Sequence, residues 1–152
     1  MTDIRKKLSQ RTVWFLLSLM CCLTWLVTHQ IAEAEVIMIC HKDISEQSLN
    51  VTQIADIFLG KMVTWPNGDI IVVSTLNEGD LHNEFIELYL QKTPSQYKYY
   101  WKKMVFTGTG KHPKIFKTST ELLDFVSNTK GAIGYVNESD LKDSVKQLSI
   151  QK

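Results

Sequence analysis

Gly131-Ala132-Ile133-Gly134-Tyr135-Val136, and upstream of it Ile57-Phe58-Leu59-Gly60-Lys61 with Trp65 close behind, are the stretches whose reading decides the fold. The first is an apolar run of strand length. The second closes a helix: from Val51 or Thr52 to Leu59 the apolar residues Ile54, Ile57 and Phe58 recur at helical spacing. Asn50 or Thr52 is available as the cap. Gly60 then suits the position just past the helix, where glycine takes the left-handed conformation without penalty.

Working outward, Pro66-Asn67-Gly68-Asp69 is a turn signal, and Ile70 to Val73 follows it as a strand. Glu35 to Cys40 is a short apolar run that reads as a buried strand. Ser45 to Asn50 is polar and reads as loop. Asp80 can cap a helix with the stripe Leu81, Phe85, Leu88 and Tyr89. Pro94 suits the first turn of the next helix, whose stripe is Tyr97, Tyr100, Trp101, Met104 and Val105. Thr107-Gly108-Thr109-Gly110 breaks it. Thr118, Ser119 or Thr120 caps a helix through Leu122, Leu123 and Val126, and Val145 to Ile150 reads as a last strand. Strands alternating with helices predict an α/β layer sandwich with a largely parallel or mixed sheet. No internal repeat or linker interrupts it.

The N-terminus reads as a secretory leader over 1–34. Arg5, Lys6, Lys7 and Arg11 precede an apolar run from Val13 to Val27, and Ala32-Glu33-Ala34 offers a cleavage site before Glu35. An uncleaved anchor is the alternative, but the run falls short of the roughly 20 apolar residues of a comfortable span. Met20 before Cys21 does not fit a lipoprotein. The expected location is periplasmic or secreted, with no membrane span left after cleavage. Residues 35–152 form one domain of 118 residues, enough for a real core. They carry 13 lysines, no arginine and 14 acidic residues, a balance that does not suggest nucleic-acid binding. Cys40 is the only cysteine outside the leader, so no disulfide forms within the domain, and its apolar setting suggests a buried structural thiol.

In order and spacing, these segments resemble the second lobe of periplasmic phosphate-binding proteins, the solute receptors of ABC importers. The resemblance runs from the opening strand through Ile57–Lys61, Trp65, Gly79, Phe85, Trp101 and the glycines at 108 and 110 to Gly131–Val136. It implies a single lobe of a type II periplasmic binding protein, with a mostly parallel or mixed sheet flanked by helices. It implies binding rather than catalysis, a small oxyanion such as phosphate as ligand, and no cofactor. Family receptors are two to three times longer and trap ligand between two lobes. This chain matches the middle lobe, without the N-terminal glycine-rich phosphate loop. A permease, an envelope sensor or a second copy supplying the opposing wall are the partners implied, and an accessory envelope module without ligand is the competing reading.

The resemblance places the anion-binding turn at Gly79, Asp80, Leu81 and His82, in Asn77-Glu78-Gly79-Asp80-Leu81-His82. The first free N–H groups of a helix and its dipole both favour negative charge there. The family's turn is of Gly-Ser-Gly-Thr type, and only its first glycine is kept. Leu76 stands three residues before it, where many phosphate binders carry arginine. Asp80 as the N-cap would satisfy the same N–H groups and repel an anion. His82 is read either as a solvated helix residue or as a donor, and Asp80 with Glu78 leaves room for a cation instead. Thr107, Gly108, Thr109 and Gly110 are read as an ordinary helix-ending loop or as a nest of donors beside Lys111.

Other chemistry is sparse. His41, His82 and His112 lie far apart, and none pairs at the spacing of a helical metal site. Cys40 and His41 are strand neighbours pointing to opposite faces, not a dyad. No nucleophile elbow or nucleotide loop occurs. The aromatics Tyr97, Tyr99, Tyr100, Trp101 and Phe106 read mostly as core, with Tyr99 off the stripe and exposed. Further exposed aromatics would mark a contact surface.

Overall fold

A computed structural model describes residues 36–151. The leader, its cleavage before Glu35 and the boundary at residue 34 lie outside the described residues. The elements run β1 (Val36–Cys40), β2 (Ser48–Asn50), α1 (Val51–Phe58), β3 (Val72–Leu76), α2 (Asp80–Leu90) and α3 (Pro94–Phe106). They continue with β4 (Lys114–Phe116), α4 (Ser119–Asn128), β5 (Ala132–Asn137), a 3-10 turn (Glu138–Asp140) and β6 (Lys146–Gln151).

The six strands form one sheet in the order β2-β6-β1-β5-β3-β4. β1 is antiparallel to both its neighbours, β5 and β6, while the pairs β2–β6, β3–β5 and β3–β4 are parallel. Five strands therefore point one way and β1 alone opposes them. This is the expected mixed α/β sheet flanked by helices. Every residue of β1 is buried, as a continuous apolar run predicts for a strand covered on both faces.

The helix boundaries follow the capping residues. Asn50 accepts from the Gln53 N–H at 2.8 Å, and Gln53 returns the bond to the Asn50 N–H, a complete capping box for α1. Thr93 and Gln96 do the same for α3, with Pro94 in its first turn. Thr118 caps α4. Gly60 follows α1 at φ 70, and a Cβ there would meet the Trp101 ring at 2.8 Å. The two stretches that decide the fold are joined directly: the buried Trp65 donates its indole N–H to the Gly131 carbonyl at 3.0 Å. Gly131, at φ 79, brings its backbone so near Ile70 that a Cβ would lie 2.2 Å from that carbonyl oxygen.

Three segments differ from the sequence reading. Ser48–Asn50, read within a loop, is an edge strand in register with Ser149–Gln151; only Leu49 of the three is buried, so no apolar pattern marks it. Lys114–Phe116 is likewise a three-residue edge strand. The strand expected at Ile70–Val73 runs instead from Val72 to Leu76, because Ile70 is taken by a lone bridge to Thr64 across the turn. Its buried end is polar: Ser74 donates to the Ile133 carbonyl at 2.6 Å, which lets a hydroxyl sit in the core. Leu88 and Val105, placed on apolar stripes, are exposed.

Candidate functional site

The turn expected to hold an anion stands at the carboxyl end of β3, where the Asn77 N–H ties it to the Phe116 carbonyl. Gly79 adopts φ 109 and ψ 167, a region essentially closed to other residues, and is itself the N-cap of α2. Asp80 is therefore not the cap. It is the first helical residue, no side chain caps this helix, and its exposed carboxylate acts on the helix through the dipole. The expectation that Asp80 satisfies the first N–H groups is corrected by one residue: the glycine backbone makes the turn, so the carboxylate starts too far along to fold back. The N–H groups of the first turn have no acceptor within the helix.

His82 is not solvated. It is 6 % exposed, and its Nδ1 lies 2.7 Å from the Tyr135 hydroxyl. The same oxygen accepts the Leu76 N–H at 3.2 Å. Burial raises the phenol well above its ordinary range, so Tyr135 keeps its proton, and which partner donates in this bond is set by the imidazole tautomer. Burial also pushes the imidazole below its ordinary 6.5, which keeps it neutral near pH 7. His82 is thus a neutral imidazole oriented by a tyrosine 53 residues away. Phe85 stacks on the same tyrosine, ring centroids 3.9 Å apart, and fixes α2 against β5.

Beside the turn lies a depression of about 220 Å³ whose wall includes Asn77, His82, Ser95, Lys98, Trp101 and His112 and no carboxylate. Ser95 and Lys98 were not legible as site residues; only the packing of α3 beside the end of β3 brings them there. The Thr107–Gly110 loop is elsewhere. It joins Lys111, Val63 and Ile70–Val73 around a larger groove of about 650 Å³, and Trp101 and His112 line both hollows. Its donors face the helix. The N–H groups of Thr107, Gly108 and Thr109 donate to the carbonyls of Lys103, Val105 and Met104 at 3.0, 3.1 and 3.0 Å. Both threonine hydroxyls donate to the Met104 carbonyl at 3.2 Å. The loop finishes α3.

Cys40 is fully buried and burial pushes its thiol up to about 11, the behaviour of a structural cysteine. Among the described residues no group of three metal-ligating side chains comes together, and no helix is long and apolar enough to cross a membrane.

A single lobe with a mixed sheet flanked by helices is the fold of one half of a type II periplasmic binding protein. Solved structures bear this out. The described fold is similar to a protein of Clostridium perfringens assigned as a phosphate ABC transporter substrate-binding protein and solved with bound phosphate (TM-score 0.61, 23 % identity, 76 % of this chain and 44 % of that one). It is similar also to PstS of Borrelia burgdorferi (TM-score 0.61, 17 % identity, 77 % and 47 %). A phosphate-binding protein of Stenotrophomonas maltophilia gives the same TM-score at 18 % identity, over 78 % and 39 %. The chain spans less than half the length of each, the extent of one lobe. At these identities the likeness establishes the fold. No protein-family model and no curated protein matches the sequence.

Proposed function

We propose that this chain is an exported solute-binding protein of the phosphate-receptor kind, holding a small oxyanion at the start of α2. The observation that carries this reading is the uncapped first turn of α2 beside a hollow walled by Lys98, His82 and His112 without a carboxylate. The helix start supplies N–H groups and a positive dipole end, His82 a neutral imidazole, and Lys98 a point charge. Asp80 opposes an anion from the same turn and keeps affinity modest. The Thr107–Gly110 loop serves as neighbouring wall, its donors being committed to α3. A periplasmic location and delivery to a permease belong to the same reading, as does a second copy that closes the open side. Ligand binding without chemistry requires no cofactor.

The test is calorimetric titration of the purified protein with phosphate in an anion-poor buffer, with sulfate as control. Saturable heat supports the receptor, and one ligand per two chains supports closure by a second copy. Heat no different from dilution overturns the reading in favour of an accessory envelope module.

A further inference from the structure

Residues 88–120 contain seven lysines and no aspartate or glutamate, in a chain whose net charge is only +1. This acid-free stretch includes all of α3, its closing loop and β4. The inward face of α3 is fully engaged. Tyr97 and Trp101 both donate to the Phe58 carbonyl, at 3.1 and 3.2 Å, and Tyr100 donates to the Leu59 carbonyl at 2.6 Å, so the helix clamps the end of α1. The outward face has the reverse character. Tyr99, Lys102, Lys103 and Phe106 recur at i, i+3, i+4 and i+7, which puts them on one side of the helix. Tyr99 is 71 % and Phe106 91 % exposed, and both lysines are exposed. Two bare aromatic rings bracketing paired cations make an unpartnered surface, and its charge calls for an anionic partner.

We infer that this face of α3 docks the protein onto an anionic lipid bilayer, Tyr99 and Phe106 entering the headgroup layer while Lys102 and Lys103 meet lipid phosphates. Three features favour lipid over a folded acidic partner. All the cations are lysines, which are depleted in protein interface cores, where arginine is enriched. Phe106 protrudes instead of lying in a framed pocket, whereas a protein hot spot needs a packed rim around it. Aromatic rings settle at the membrane interface, and lysine stems can lie along apolar surface with the charge kept in water. The inference is independent of the oxyanion site, since neither aromatic and neither lysine of the stripe lines that hollow.

The test is co-sedimentation of the purified protein with vesicles of phosphatidylcholine, alone or mixed with phosphatidylglycerol. Expected are capture by the mixed vesicles alone, weakening as salt is added, and a loss of about tenfold or more in partitioning for Lys102→Glu/Lys103→Glu. Tyr99→Ser/Phe106→Ser should lose a comparable factor. Because all four side chains point to solvent, the variants should keep the parent's thermal midpoint to within a few degrees, which separates docking from folding. Absence from both kinds of vesicle, or unchanged capture of both variants, overturns the inference. Release from vesicles by a single-stranded oligonucleotide that the protein binds more tightly also overturns it and assigns the face to nucleic acid.

Discussion

The start of α2 and the end of α3 look alike in sequence: Gly79 with Asp80 and His82, and Thr107-Gly108-Thr109-Gly110, are both short glycine segments at a helix boundary. In the structure they are opposites. At the first, the chain enters a helix and the N–H groups of its opening turn lack intrahelical acceptors. At the second, the chain leaves a helix whose last carbonyls lack donors, and the loop's N–H groups and hydroxyls turn back to them. Helix polarity, not loop composition, decides which glycine segment can serve an anion.

The hardest strain on that contrast is Tyr135→Phe. It removes the acceptor of the Leu76 N–H and the partner of His82 Nδ1, leaving buried polar groups unpaired, at about 1–3 kcal/mol each. Urea denaturation should show a loss of roughly 2 kcal/mol or more, with phosphate affinity falling alongside. Unchanged stability would mean the tyrosine does not hold the α2 turn. Next come paired glycine variants. Gly79→Ala and Gly108→Ala both sit at positive φ; Gly108→Ala should cost about 1 kcal/mol and Gly79→Ala, in the region closed to side chains, about 2–3 kcal/mol, yet only Gly79→Ala should weaken phosphate binding in calorimetry, by roughly tenfold. An equal loss in both would break the contrast.

Asp80→Ser sharpens it from the other side. Removing the carboxylate from the first turn should raise phosphate affinity several-fold while lowering stability by about 0.5 kcal/mol through the lost dipole interaction. The smallest expected effect is on pH. His82 titrates lower when folded than its unfolded 6.5, so below 6.5 the unfolded chain binds the extra proton. The contribution of His82 is therefore complete above 6.5 and is lost as pH falls through the lower folded value. Denaturation midpoints should decline gently over that window, and His82→Gln should remove this part of the slope.

Legibility tracked how local each signal was. Pro94 announces a helix start, and Asn50 and Thr118 stand among the caps on offer, because a cap acts within three residues; Gly60 announces an end. The edge strands Ser48–Asn50 and Lys114–Phe116 gave no such notice. Each is three residues long and mostly uncovered, and what makes each a strand is a partner strand far along the chain. Ser74 and Thr75 hid the end of β3, since hydroxyls signal surface; Ser74 is accommodated by the Ile133 carbonyl across the sheet.

The family resemblance put the expected anion turn at a helix start, but the side chains around it were misread. His82 looks solvated beside Asp80 and Asn83; it is buried against the rings of Tyr97 and Tyr135, and the Tyr135 hydroxyl holds its Nδ1. Asp80 looks like a cap because acidic residues commonly are, but Gly79 at φ 109 takes that place with its own backbone. By itself, then, the sequence determined the alternation of helices with the longer strands, most helix limits, the buried β1 and the strand at β5, because periodicity and capping are properties of neighbouring residues. Only the tertiary structure decided the role of His82, the company of Ser95 and Lys98 at the turn, and the exposure of Phe106, which the sequence placed among core aromatics. Those depend on which groups meet across the fold, and so on burial and hydrogen-bond partners that no local pattern encodes.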